Sequence, residues 1–261
     1  MSERLAATLT GPAGAPVVAL GTSIGTNQGL WDPQAAVLGR RFRLLRFEFR
    51  GHGPVGAQSP APDGPYTIAE LGTDVLEVLN RYDLDQVAYC GVSLGGMVGM
   101  WLAANAPDRI TRVALCCTAA YMPPAAMWQD RAATARTQGL EPLVGPTTGR
   151  WFPAAFAQQH PEVVAPVAAM FTGTNPEGYA GCAEAIAAMD QRESITAITA
   201  PTLVIAGAED PSTPPGQGAL LATSIPRATL TVVRGAAHLA NYQTPGPVTA
   251  ALASHLAPLL G

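Results

Sequence analysis

Short apolar runs alternate along this chain with longer stretches of helical period. Pro16–Gly21, Phe42–Phe47, Gln86–Cys90, Arg112–Cys117, Thr202–Gly207 and Thr229–Val233 are brief and rich in branched side chains. Such runs predict buried strands of a mostly parallel sheet. Between Tyr66 and Asp85 the period changes, and Ile68, Leu71, Val75 and Val78 recur on one helical face, a spacing that lets one side of a helix cover a sheet. Thr67 followed by Glu70 supplies a capping box at its start. A second helix is expected from Leu94 to just before Pro107, and another from about Pro245 to Leu260. The succession is βαβ throughout, so crossovers should be right-handed and helices should lie on both faces of the sheet.

One region breaks the rhythm. From about Tyr121 to Glu193 the chain is rich in Ala and Pro, carries two Trp, and shows no convincing strand before Thr202. An excursion of this kind, on the carboxyl side of the strands where α/β folds place ligands, reads as a helical cap over a pocket; an additional packed helical layer is the plainer alternative. The expected division is a core of residues 1–120 and 196–261 with a cap of 121–195 inserted in it.

Composition narrows the function classes. At 261 residues, 48% hydrophobic and 13% charged, the chain suits one substantial core. Its formal net charge is −4, and its 15 Lys plus Arg form no cluster dense enough to neutralise a run of phosphates, so nucleic acid is not an expected partner. No long uninterrupted apolar stretch and no basic-then-apolar N-terminus stand out, which leads to the expectation of a cytoplasmic protein without a membrane span. Cys90, Cys116, Cys117 and Cys182 lack a C-x-x-C spacing and are expected as buried free thiols. The scattered histidines give no zinc triad, and Gly21-Thr22-Ser23-Ile24-Gly25-Thr26 lacks the lysine and glycine spacing of a phosphate loop; no metal and no cofactor are expected.

The strongest local signal is Gly91-Val92-Ser93-Leu94-Gly95, placed directly after one expected strand and before an apolar helical pattern. G-x-S-x-G in a strand–turn–helix context pushes the serine outward on a turn too crowded for side chains at the flanking glycines. The hydroxyl of Ser93 would then be exposed as a nucleophile, with the Leu94 amide near the developing oxyanion.

A serine needs a base, and the base needs an orienting acid. His238 follows the last expected strand through the small-residue loop Arg234-Gly235-Ala236-Ala237, where an imidazole can reach over the sheet edge. His160 lies in the cap region, His255 in the terminal helix and His52 in an Arg-Gly-His-Gly turn. Asp210 follows the Thr202 strand and is favoured over Glu209, because Pro211 fixes the chain just after it. The order nucleophile, acid, histidine is that of the α/β hydrolases. The second oxyanion amide should come from the loop after the first long strand, with Ile24 preferred and Ser23 as the alternative. Trp31 and Trp101 are equally readable as pocket walls or core.

The chain resembles the 3-oxoadipate enol-lactonase family of the α/β hydrolases. The likeness rests on Gly21–Thr26 with Leu30-Trp31-Asp32-Pro33, Arg50-Gly51-His52-Gly53, Pro65-Tyr66-Thr67-Ile68, Gly91–Met97, Arg150-Trp151-Phe152, Glu184-Ala185-Ile186 with Met189-Asp190, Pro201–Gly207 and Ala237–Asn241. It implies an α/β-hydrolase fold with a helical cap, and a triad on Ser93, Asp210 and His238. It also implies hydrolysis, through an acyl-enzyme, of a small carboxylated enol lactone. Three positions depart from the family pattern: Glu48 stands where Asp is usual, Pro54-Val55-Gly56-Ala57 replaces a small polar residue after the Arg-Gly-His-Gly turn, and Gln243 stands where Glu is common. A carboxylesterase or perhydrolase with the same triad is the alternative activity, and a catalytically silent scaffold the remaining one. Substrate contacts are expected from Ser23, Trp31, Arg150, Trp151 and Phe152, with Arg150 pairing a substrate carboxylate and Arg192 as the other candidate cation.

Overall fold

The computed structural model describes residues 5–58 and 61–261. Its centre is a seven-stranded sheet in the order β1-β3-β2-β4-β5-β6-β7. The strands are β1 (Ala7–Thr10), β2 (Val17–Gly21), β3 (Arg43–Phe47), β4 (Val87–Val92), β5 (Ile110–Cys116), β6 (Thr202–Gly207) and β7 (Ala228–Val233). β1 is antiparallel to β3 and the other neighbours are parallel. All six expected strands are present; β1, a short edge strand with alternating burial, is the addition.

The α-helices are α1 (Asp32–Leu38), α2 (Gly53–Gln58), α3 (Ile68–Arg81), α4 (Leu94–Asn105), α5 (Ala125–Gln138), α6 (Glu141–Trp151), α7 (Ala154–Gln159), α8 (Pro161–Thr172), α9 (Pro176–Ala188), α10 (Pro215–Ser224), α11 (Ala240–Gln243) and α12 (Pro245–Leu256). α3 begins as its capping box dictates: Thr67 Oγ1 accepts the Glu70 amide at 3.1 Å, and Glu70 accepts the Thr67 amide at 2.8 Å. Ile68, Leu71, Val75 and Val78 are its buried face, as their spacing requires. α3 packs on α4, which lies against β2, β4 and β5, while α12 packs on α1 and against β5, β6 and β7.

β4 is buried along its whole length, because α4 and the neighbouring strands cover it. β7 differs from the expected buried strand. It is the sheet edge, with Leu230 and Val232 exposed, and its Thr229-Leu230-Thr231-Val232 pattern suits a half-covered surface. All four cysteines are free and buried, and burial raises the pKa of each thiol. Among the described residues no helix is long and apolar enough to cross a membrane, and no group of His, Cys, Asp or Glu is arranged to hold a metal ion.

Between β5 and β6 the chain leaves the sheet as α5 to α9. The excursion is closed at its base by a bridge between Tyr121 and Asp190 and by the Gln191 amide donating to the Ala120 carbonyl at 2.8 Å. Asn175, capping α9, donates its amide to the Gly51 carbonyl at 2.8 Å and so ties these helices to the turn after β3.

Candidate active site

Crowding shapes the turn between β4 and α4. A Cβ on Gly91 would fall 2.2 Å from the Gly95 carbonyl oxygen, and one on Gly95 would fall 2.4 Å from the backbone of Gly21. No side chain fits at either position, so strand and helix approach closely enough to force Ser93 into the left-handed region, with φ 54° and ψ −114°. The turn is pinned on every side. The Ser93 amide donates to Cys116, the Gly95 amide to Thr22, the Tyr89 hydroxyl to Gly95 and the Thr118 hydroxyl to Ser93, all at 2.8–3.0 Å. Backbone strain held by this many bonds puts the serine side chain at the carboxyl end of the sheet.

Asp210 and His238 reach the same end from β6 and β7. Asp210 is buried and accepts at Oδ1 from the Ser212 and Thr213 amides at 2.8 and 3.0 Å, and at Oδ2 from the Thr213 hydroxyl at 2.7 Å. His238 Nδ1 lies 2.8 Å from Asp210 Oδ2, so this nitrogen carries the proton and Nε2 is left bare. Burial alone would raise the Asp210 pKa, but the electrostatic attraction of His238 and the hydrogen bonds from His238 and Thr213 outweigh it and hold the carboxyl below its usual value. Glu209, the competing carboxylate, is exposed.

The loop before His238 is held by Gln243, which accepts the Ala237 amide at 2.8 Å and donates to the Gly235 carbonyl at 2.7 Å. The donated bond requires the amide, which gives this departure from the family pattern a structural use. Glu48, the first departure, is buried and accepts the Gln28 amide at 3.2 Å. Burial lifts its pKa to about 7 against the hydrogen bonds from Gln28 and the charge of Arg46. The Pro54–Ala57 stretch lies in α2.

Ser93 and His238 line one cavity of about 310 Å³ with Ile24, Met122, Pro123, Met127, Trp128, Arg131, Thr147, Arg150, Trp151, Pro211 and Ser212. Neither the Ile24 amide nor the Leu94 amide donates to a hydrogen bond among the described residues, so both are free to meet an oxyanion. Arg150 and Trp151 belong to the lining, and the Trp151 carbonyl accepts the amide of Leu239, next to His238, at 3.3 Å.

Other expected contacts lie elsewhere. Trp31 is fully buried outside the cavity lining, its indole nitrogen donating to the Gly21 carbonyl at 3.1 Å, and Trp101 packs over Gly72 between α3 and α4. Phe152 stacks on Phe156 and is not part of the lining. Ser23 is buried beside Ile24 with no partner for its hydroxyl among the described residues. Arg192 is exposed, paired with Asp190 and laid over Tyr121. Of the other histidines, His160 lies beside Glu162, His255 lies in α12, and His52 is buried under the loop of Ile24.

Sequence reasoning missed Thr213, Met127, Trp128, Arg131 and Thr147. Thr213 had a readable signal, since an Asp three residues before a Thr readily accepts that residue's amide. The cap residues had none, because helical period alone does not say which side of an Ala-rich helix turns inward.

The α/β-hydrolase fold family matches residues 16–245. The 3-oxoadipate enol-lactonase 2 of Acinetobacter baylyi is 38% identical over 235 residues, covering 90% of this chain and 86% of the relative. Among solved structures, a hydrolase from Pseudomonas aeruginosa PA01 superposes with a TM-score of 0.92 at 42% identity, covering 97% of this chain and 94% of the other. The enol-lactonase from Burkholderia xenovorans LB400 gives 0.93 at 39% identity, with 97% and 96% covered.

Proposed function

Since the chain belongs to the 3-oxoadipate enol-lactonase group of the α/β hydrolases and acts on ester or lactone bonds, we propose that Ser93 is its nucleophile, His238 the general base and Asp210 the orienting acid, and that the substrate is a small carboxylated enol lactone such as 3-oxoadipate enol-lactone. The observation that carries this reading is the shared cavity: Ser93 and His238 face a space whose lining holds two arginines and no Asp or Glu. An anionic substrate suits that lining, and a neutral ester would leave it unused.

Ser93 Oγ attacks the lactone carbonyl as His238 Nε2 takes its proton, and the amides of Leu94 and Ile24 meet the negative charge that appears on the carbonyl oxygen. Collapse breaks the ring C–O bond, and the leaving enol oxygen receives the proton from His238. The ring has opened, so the enol stays tethered to Ser93 as part of the acyl group. Water, losing a proton to His238, attacks the acyl carbon; the bond to Ser93 Oγ breaks, Oγ takes that proton back from His238, the new acid ionises to a carboxylate, and the enol becomes a ketone. Asp210 keeps Nδ1 protonated throughout and stabilises the imidazolium. Arg150 holds the substrate carboxylate while Trp151 covers the ring.

Replacing Ser93 by Ala tests the assignment. Turnover of a carboxylated enol lactone should fall by several orders of magnitude, and labelling by a fluorophosphonate should vanish. Turnover within a few-fold of wild type would reject Ser93. A wild-type preference for uncharged esters over carboxylated lactones would instead point to an esterase.

A further inference from the structure

Arg131 and Arg150 both face the cavity that holds Ser93. Among the described residues, neither guanidinium lies within ion-pair distance of a carboxylate. Their neighbours in the cap are different: Arg136 is gripped by Glu177 and Glu184, and Arg192 by Asp190. Arg131, on α5, is fixed by neutral groups instead. Its Nε donates to the Tyr179 hydroxyl at 2.8 Å, a terminal nitrogen donates to Thr147 Oγ1, and its Cζ lies 5.7 Å from the Trp128 ring centre. Tyr179 supplies no countercharge, because burial raises its pKa more than the neighbouring arginines lower it, and the phenol stays neutral. Arg150, on α6, makes a 3.5 Å contact with the Met127 sulfur.

Two partly desolvated cations without a counterion leave free energy to be recovered by an anion. One carboxylate, placed on Arg150 as above, satisfies half of that demand. Arg131 is already oriented by two hydrogen bonds, so it can receive a second anion with little further loss of side-chain freedom. We infer that the cavity is a dianion site, binding molecules with two carboxylates, one at Arg150 and the other at Arg131.

The consequence for turnover rests on the lactonase reading. Opening a lactone that bears one carboxylate turns a monoanion into a dianion, so the product fits the charge of this cavity better than the substrate does, and dicarboxylates should inhibit competitively. The dianion preference itself does not need that reading.

Calorimetric titration of the full chain with succinate, glutarate and adipate, each compared with its own monomethyl ester, tests the proposal. The best-fitting dicarboxylate should bind at least about tenfold tighter than its monoester, and Arg131→Gln should reduce the ratio to below about threefold. Equal binding by the wild type, or a ratio untouched in the variant, would overturn it. Should the variant fail to fold, phenylglyoxal modification of the wild type, mapped by mass spectrometry, decides: a dicarboxylate should protect Arg131 where its monoester does not, and absent protection counts against the site. Fluorophosphonate labelling of Ser93 in the same preparation separates the two ideas. Labelling without a dianion preference removes only the dianion site, whereas the preference without labelling removes only the hydrolytic role of Ser93.

Discussion

His52 Nε2 accepts the Gly25 amide at 2.9 Å, so a fully buried imidazole in the turn after β3 holds the loop that carries Ile24. Its Nδ1 lies 2.9 Å from the Arg50 carbonyl, which fixes the tautomer: Nδ1 donates and Nε2 is bare. His52→Leu should leave the Ile24 amide poorly aimed, lowering kcat about 10–100-fold with KM within about twofold, and His52→Gln should recover most of the loss. Steady-state kinetics on folded protein check this, and a parallel rise in KM would indicate a disturbed pocket instead.

Thr213 joins Asp210 to His238, its hydroxyl 2.7 Å from Asp210 Oδ2 and 3.3 Å from His238 Nδ1. Thr213→Val removes one of the three hydrogen bonds that Asp210 receives from its own loop and should slow turnover about tenfold. Asp210→Asn, which disturbs the tautomer of His238, should cost about 10⁴ in kcat. Pre-steady-state acylation rates for the two variants give the comparison.

Glu48 and His52 tilt stability in opposite directions with pH. Burial raises the Glu48 pKa from 4.5 to about 7, so its contribution is complete below pH 4.5 and is lost as pH rises through 7. Burial lowers the His52 pKa from 6.5 to about 4, so its contribution is complete above pH 6.5 and is lost as pH falls toward 4. Glu48→Gln removes the first slope. The variant should gain on wild type steadily from pH 5 to pH 8, by at most about 3 kcal/mol, and show no gain at pH 4. Urea unfolding across that range measures the difference.

Arg150→Ala should reduce kcat/KM for a carboxylated lactone by an amount equivalent to about 2–4 kcal/mol while leaving hydrolysis of a neutral ester little changed. Paired assays on the two substrates read the contrast. Equal losses on both would mean that the cap had shifted and that Arg150 is not the anchor.

The parts of this molecule that were legible in its sequence are those where few alternatives exist. Gly91 and Gly95 flank Ser93 because no side chain fits there, and that exclusion is visible in the residues alone. The Thr67–Glu70 box and the apolar face of α3 are equally local. The cap was harder. α5 carries Arg131 and Arg136, five residues apart, one turned into the cavity and one out to Glu177 and Glu184, and nothing in the Ala-rich sequence around them marks the difference. Trp31 and Trp101 could be sorted only once their surroundings were known. Arg192, the second candidate cation after Arg150, is exposed and paired with Asp190, a pairing that its sequence neighbourhood does not announce.

β7 is the outermost strand of the parallel side, half covered, and it feeds the loop of His238, whereas Ser93 hangs from the fully buried β4. Heat or mild denaturant should therefore act on the two halves of the proposed reaction centre unevenly, because an edge strand opens at lower free-energy cost than the middle of a sheet. Catalytic output would fade while tryptophan fluorescence still reported an intact interior. For anyone storing or immobilising the enzyme, the margin of useful life lies in the rim that carries the imidazole, and reinforcing that rim would extend shelf life more than repacking an interior that is already full.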